Sequence, residues 1–599
     1  MKKYHVAQFG TYDLPSLGDT MFPIVFSYEM KKRFGENIEI DYFSPCGTTH
    51  PYNDLGIVYG IDELETKHKE VQYDFMIIGG GEFIHFSPVE YISVDKKHKV
   101  YKIGELWEKP QKIAQALGIP VLWNCVGVTK DFENVEERNR MVSAIGSLDY
   151  VSVRDIYSAE RLAGLGTHVP IRLVGDMLWL FNRIFSADKL QVIFQKLKRE
   201  YLFLDQPYVV LQYGTSKDYE SISDIVERYA SINKAIVVPL VVNYCHQDLE
   251  IVNKILVRHS EFAKIQKELT PLEIMAIIQG AGLFIGTSLH GNVTAMSYGV
   301  PNICCDMYPQ YVGKMDGIFH MLKHMDLVAT SPKQLDMMLG NCAGNLKYDD
   351  INNRIKKIQD RLDVHFDDVA NLIEHRGCSE KNIFEAEEDG IAFKIILESK
   401  KSACCKVGRI VKGKIQEILQ FDNDNCIIKL GFGQYVKLEQ LQLLFGESKL
   451  DYQLKVGIKK EDAILCKDSV VLEVKKCQEI EKVTNICIST SCSFGEQVEK
   501  EYKDALIEVQ NNKIEQYEVE LKCKTGHVEY MLNKENELNN KIKTLQETLD
   551  KMRTLFAEER QHYKKTIQNK NGHIELLLQK ERDYVNLLNT KGVRALRVW

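Results

Sequence analysis

Over residues 1 to about 190, short apolar runs alternate with longer stretches in which apolar positions return every three or four residues. The runs "HVAQFG" (5–10), "IEIDYF" (38–43), "DFMIIGGG" (74–81), "PVLWNCVG" (120–127) and "DYVSVRD" (149–155) read as strands, and 20–34 as a helix. Continuous apolar strands separated by helices predict a parallel sheet covered on both faces. A second set begins at "PYVVLQYG" (207–214) and continues through "AIVVPLVV" (235–242), with helices at 246–258 and 271–279. The fold class is therefore α/β, with Rossmann-like domains at 1–195 and 196–385 facing a cleft.

The texture changes after about residue 390. "GRIVKGKIQEILQFDNDNCIIKLGFGQYVKL" alternates apolar and polar positions around Asp-Asn turns, which predicts a small antiparallel β-rich module over 390–490. Residues 495–599 are helical and highly charged. There Leu538, Ile542, Leu545, Leu549, Met552 and Phe556 recur at alternating steps of four and three, the seam of a coiled coil. Two similar segments, "KTGHVEYMLNKE" (524–535) and "KNGHIELLLQKE" (570–581), bracket that seam. They read as repeated helix starts or as a docking surface.

Composition narrows the class. At 599 residues the chain is too long for one core. A net charge of -7 argues against a general nucleic-acid binder. Neither a signal-peptide core at the N-terminus nor a run of membrane-spanning length is evident. The 15 cysteines show no CxxC spacing, which fits reduced thiols better than zinc or disulfides. The expectation is a cytoplasmic protein, free or peripheral at the inner face of a membrane, with no metal site.

Candidate chemistry gathers at four junctions where predicted strands end. In "FGTYDLPSLGDTM" (9–21), Gly10, Gly18 and Asp19 open a helix; backbone N–H groups there suit an anion, and Asp19 equally suits a helix cap. In "IIGGGEFIH" (77–85), Gly79, Gly80 and Gly81 allow close backbone approach to a ligand without forming a nucleotide-binding motif. Arg154 follows a buried strand, where it can grip a carboxylate or phosphate or form an ion pair with Asp155 or a neighbour. The fourth junction, "GTSLHGNVTAMSYGVP" (286–301), places Ser288, His290 and Gly291 at a strand-to-helix step, and Lys314 after the next strand can reach the same cleft.

Taken in order, these segments resemble the polysaccharide pyruvyl transferase family. The resemblance rests on Gly10, Gly18 and Asp19, then GGG (79–81), "SVRD..S...L" (152–162), "VGD" (174–176) and "SLHG…A…GVP" (288–301) with a Tyr and Lys downstream, and it spans about residues 1–380. The chain departs from the family pattern at Ser288, where many members carry arginine, at Met177 after Asp176, and at Leu17. The resemblance implies an architecture similar to two-domain glycosyltransferases. It implies an enzyme that transfers the pyruvyl unit of phosphoenolpyruvate to a sugar of a cell-surface polysaccharide precursor, forming a cyclic ketal. Arg154 and Lys314 would hold the donor's carboxylate and phosphate, His290 would move a proton, and Gly10, Asp19, Gly79, Gly80, Gly81, Ser288 and Gly291 would line the site. No cofactor is implied; phosphoenolpyruvate is the donor substrate, and a sugar or lipid-linked glycan the acceptor. Two other readings compete: a glycosyltransferase using a nucleotide sugar, and a catalytically degenerate glycan-assembly scaffold working through its coiled coil.

The coiled coil predicts a homo-oligomer, most simply a dimer, or docking to a helical partner. Light scattering of the full chain against a version ending near residue 490 checks this: the full chain should show the larger mass per chain equivalent, and equal values would reject it.

Overall fold

The computed structural model describes residues 2–523 apart from short stretches, the longer ones being 49–55, 93–97, 308–311, 342–347, 386–390, 422–425 and 475–483, together with scattered positions between 543 and 554. It divides into two compact units, Met1–Ala505 and Leu506–Trp599.

The first sheet is parallel and built from β1 (Tyr4–Phe9), β2 (Ile38–Ser44), β3 (Val58–Gly60), β4 (Phe75–Ile84), β5 (Val121–Val128), β6 (Tyr150–Val153) and β7 (Ile171–Leu173), in the order 3-2-1-4-5-6-7. The second, also parallel, contains β8 (Tyr208–Gln212), β9 (Ile236–Pro239), β10 (Leu283–Gly286), β11 (Asn302–Cys305) and β12 (Val328–Ala329), in the order 9-8-10-11-12. Both orders are doubly wound. The direction in which successive strands are added reverses between β1 and β4 in one and between β8 and β10 in the other, the points where such sheets open a crevice. The expected strands appear within a few residues of their anticipated bounds. β3, β7 and β12 are additions, at three, three and two residues too short to leave a periodic signal.

Five helices carry or brace the residues at the strand ends: α1 (Leu17–Phe34), α2 (Ile156–Ala163), α3 (Leu289–Ser297), α4 (Lys314–Leu322) and α5 (Tyr348–Ile373). α5 follows the second sheet but returns to the first domain. Its His365 is fully buried there, between the Tyr150 hydroxyl at 3.0 Å from Nδ1 and the Asn124 side-chain carbonyl at 2.7 Å from Nε2. A carbonyl only accepts, so Nε2 carries the proton and Nδ1 accepts from the tyrosine.

Beyond α5 the β-rich module is a closed antiparallel barrel. β13 (Ile391–Ser399), β14 (Ala403–Val411), β15 (Lys414–Phe421), β17 (Thr484–Phe494) and β16 (Cys426–Phe445) pair in a ring, because β13 bonds both β14 and β16. Phe393, Ile395 and Leu397 alternate into its core with Ile415, Ile428 and Leu443. Helix α6 (Glu496–Cys523) follows. Of the coiled-coil seam only Leu549 is described; its other members and both repeated "GH" segments lie outside the described residues. No helix among the described residues is long and apolar enough to cross a membrane.

Burial pushes the His365 imidazole down from 6.5 to about 3, helped by the Arg33 and Arg172 charges. The unfolded chain thus binds a proton between those values that the folded chain excludes, so stability is fully present above pH 6.5 and falls as pH drops below it. Melting temperature should decline from pH 7 toward about pH 5, above the main carboxylate range. His365→Gln should be less stable at neutral pH yet show a flatter decline, measured by thermal denaturation across that range.

Candidate active site

Residues from both doubly wound sheets meet where their strands end. The loop after β1 pairs with the segment after β9: Leu17 N–H donates to Val242 at 3.2 Å, Tyr244 N–H to Pro15 at 2.8 Å, and the Ser16 hydroxyl to Asn243 at 2.9 Å. These bonds set α1 against α3, which starts immediately after β10.

The start of α3 is fixed locally. Ser288 is its N-cap, its hydroxyl accepting from Gly291 N–H at 3.3 Å, while Ser288 N–H donates to the Gln212 side-chain carbonyl at 2.6 Å. His290 therefore sits in the first turn. Its Nε2 lies 3.4 Å from Asp176 Oδ2, and its ring packs edge-to-face on Phe22 with centroids 5.2 Å apart. Nδ1 faces Gly18, where a methyl group would lie 2.0 Å away. Only glycine at position 18 leaves that nitrogen its space.

Asp19, one residue on, is not a helix cap. The N-cap of α1 is Ser16, and Asp19 sits in the first turn accepting the Thr11 hydroxyl. Gly79, Gly80 and Gly81 lie inside β4 rather than in a turn after it, with φ of +155°, +78° and +119°. Side chains are doubly excluded there, by conformation and by contact: a methyl at Gly79 would meet the Asn124 carbonyl at 2.0 Å and one at Gly80 the Phe22 side chain at 2.7 Å. The pairing of β4 with β5 shifts register between Gly81 and Ile84, the stretch that holds Glu82. Gly10 and Gly291 make room for the Tyr12 and Phe284 rings, so both shape the walls from behind.

Arg154 is 1% exposed, ringed by carboxylates rather than open to the cleft: Glu82 at 3.3 Å, Asp155 at 3.6 Å and Asp176 at 3.6 Å. Its Nε and one terminal nitrogen make no hydrogen bond. Gly127 admits it, since a methyl there would stand 2.7 Å from the guanidinium. Glu82 in turn accepts from Lys314 at 2.9 Å, and that lysine remains 43% exposed. The result is a chain of alternating charge, Lys314–Glu82–Arg154–Asp176–His290, that crosses from one domain to the other twice.

The electrostatics follow from burial and pairing. Burial alone would raise Glu82; the Lys314 and Arg154 charges outweigh it and hold the carboxyl at about 2. Burial also raises Asp176, but the bond and charge of His290, then Arg154, bring it below its ordinary value. Burial opposes the Arg154 charge, and Glu82, Asp176 and Asp155 more than restore it. Asp155 behaves differently: burial dominates and its carboxyl is raised, even though it caps α2 by accepting Ser158 N–H at 2.8 Å.

Glu82 and Asp176 are the site residues that sequence reasoning passed over. Both stood inside quoted motifs, Glu82 directly after the triple glycine and Asp176 in "VGD"; a charge at the end of an apolar strand was the available signal. Tyr308 and Tyr311, the tyrosines before Lys314, lie outside the described residues. Among the described residues no group of three or more His, Cys, Asp or Glu is arranged to hold a metal ion.

Residues 17–307 match the family model described as polysaccharide pyruvyl transferase. No curated protein matches the chain. Among solved structures the chain is similar to a putative UDP-N-acetylglucosamine 2-epimerase from Listeria monocytogenes, at 11% identity and TM-score 0.43 over 64% of this chain and 100% of that one. It is similar also to UDP-GlcNAc 2-epimerase from Neisseria meningitidis, at 13% identity and TM-score 0.39 over 60% and 99%. A third is the trehalose-6-phosphate phosphatase N-terminal domain of Candida albicans, at 9% and 0.38 over 63% and 99%.

Gly18→Ala tests the contact with His290. The methyl displaces a movable side chain, so stability should fall by only about 1 kcal/mol. Turnover should fall roughly 100-fold, because the imidazole loses its seat against Asp176. Parallel melting and rate measurements separate the two effects.

Proposed function

We propose that the chain, whose residues 17–307 match the family model described as polysaccharide pyruvyl transferase, transfers the pyruvyl unit of phosphoenolpyruvate to a sugar of a cell-surface polysaccharide precursor. The observation that carries this reading is the crossing of charges that ends on one side in a half-exposed Lys314 and on the other in His290 at a helix start.

The donor brings a carboxylate and a phosphate. Around Arg154, two cations face three carboxylates, which leaves one net negative charge before any donor arrives. Lys314 therefore gives up Glu82 in part to meet the donor. The first-turn N–H groups of α3 add the positive end of a helix dipole. Arg154 holds Glu82 and Asp176 in place from below, and its unbonded nitrogens reach the donor carboxylate only through a shift of these partners.

In the reaction the methylene carbon of phosphoenolpyruvate takes a proton and its carbon–oxygen centre becomes oxocarbenium-like. One sugar hydroxyl adds to that centre and gives up its proton, which replaces the one taken by the methylene carbon; phosphate leaves with the carbon–oxygen electron pair, and the second hydroxyl closes the ketal and passes its proton to the departing phosphate. Asp176 accepts from His290 Nε2, so Nδ1 against Gly18 is the nitrogen that exchanges a proton with donor or acceptor. Asp176 also stabilises the imidazolium. The acceptor is a glycan precursor, carried on lipid where assembly occurs at the inner membrane face, and the protein works in the cytoplasm.

Incubation with phosphoenolpyruvate and candidate lipid-linked sugars, read by mass and by phosphate release, tests the reading. His290→Ala and Lys314→Ala should each lower phosphate release about 100-fold or more. Full activity in both variants would reject the site. Thermal stabilisation by a nucleoside diphosphate but not by phosphoenolpyruvate would favour the glycosyltransferase reading instead.

A further inference from the structure

The strand β13 presents an anomaly. Phe393, Ile395 and Leu397 face the barrel core, so Lys394 and Ile396 face outward, yet both are at most 1% exposed. Lys394 is covered by the second doubly wound domain. Lys394 Nζ reaches Asp306 Oδ2 at 2.6 Å and Asp316 Oδ1 at 3.0 Å. Asp306 ends the strand segment after β11, and Asp316 lies in the first turn of α4, where it accepts Gly313 N–H at 2.9 Å. α4 begins with Lys314.

We propose that Lys394 is a positioning residue of the transferase site: the barrel's first strand fixes the start of α4 through Asp316 and so aims Lys314 at Glu82 and the donor. Without Lys394, the buried Asp316 carboxylate and the half-buried Asp306 carboxylate would face one another at the base of α4. Their repulsion acts on the very turn that presents Lys314, since Asp316 is two residues away and holds that turn by its cap. The other side of α4 is already pinned to the first domain. Tyr157 of α2 bonds His320 at 2.8 Å, Arg161 donates to the Val312 carbonyl at 2.6 Å, and Gly317 lies so close to Asp155 that a methyl there would be 2.7 Å from its Oδ1. α4 is thus clamped between α2 and Lys394, and the barrel is a working part of the site rather than an appended spacer. The catalytic consequence rests on the proposed donor; the mechanical one does not.

Full-length Lys394→Met and Lys394→Arg are compared with the parent. The Met variant should raise KM for phosphoenolpyruvate roughly tenfold or more with a smaller change in kcat, and the Arg variant should recover most of the loss. In a Lys314→Ala background the Met change should add nothing further to KM. An unchanged KM, or an effect of the same size with and without Lys314, would overturn the proposal. Lys394→Met strands two carboxylates and can prevent folding, so a neutral triple variant, with Asp306→Asn and Asp316→Asn added, removes all three charges and keeps a capping oxygen at 316. It should fold with KM still raised; a parental KM in it would overturn the positioning role. Hydrogen exchange of the amides at 313–318 provides a donor-free arm. Exchange there should quicken in the triple variant while α1 stays protected, and unchanged exchange would reject the clamp. If the parent releases no phosphate from phosphoenolpyruvate with any acceptor, the proposed donor fails, and the exchange result still decides the clamp.

Discussion

Glu82 is the constraint on which the site depends. It is a carboxylate among apolar strands, held charged by a lysine from one domain and an arginine from the other side of its own sheet. A half-buried charge of this kind is costly unless its partners are fixed in place, and each fixed partner needs further support. Arg154 therefore requires Asp155 and Asp176, Asp176 requires His290, and Lys314 requires a rigid α4. The need propagates until it has recruited helix caps, glycine contacts and the barrel strand.

Much of the architecture was legible because it rests on local periodicity. Unbroken apolar runs such as those around Ile77 and Leu122 describe strands covered on both faces, and the alternation after residue 390 describes a sheet with one dry side. Candidate residues were legible where they followed strands, Arg154 directly after β6 and His290 in the first turn of the helix after β10. Pairings were not. That Arg154 would be enclosed by three carboxylates, or that Asp19 would take the Thr11 hydroxyl while Ser16 began the helix, depends on groups far apart in the chain. Lys394 did leave a trace, a lysine between apolar residues in "IAFKIILES", but its meaning lay in Asp306 and Asp316, some eighty residues earlier. The closure of the barrel was equally hidden, since it turns on β13 finding β16 as well as its hairpin neighbour.

The family match covers residues 17–307, whereas the physical site extends past it. Lys314 stands just beyond that boundary and Lys394 well beyond it, in a module of different architecture. The doubly wound core of this chain is consequently not an autonomous pair of domains with decorations. Its interior charges are balanced by a residue supplied from the barrel, and the helix that follows the second sheet completes the core of the first.

That returning helix has a consequence in time. The first doubly wound domain ends its sheet near Leu173, yet Asn124 and Tyr150 wait for His365, and Trp179 for Gln359, whose side chain donates to its carbonyl at 2.7 Å. A chain emerging from the ribosome has made the whole sheet long before it has made the residues that fill its last gap. For the intervening span, some two hundred residues of synthesis, the nascent domain carries an open apolar seam and unpaired polar groups in its centre. The core of the first domain is thus completed only once its final helix has been made.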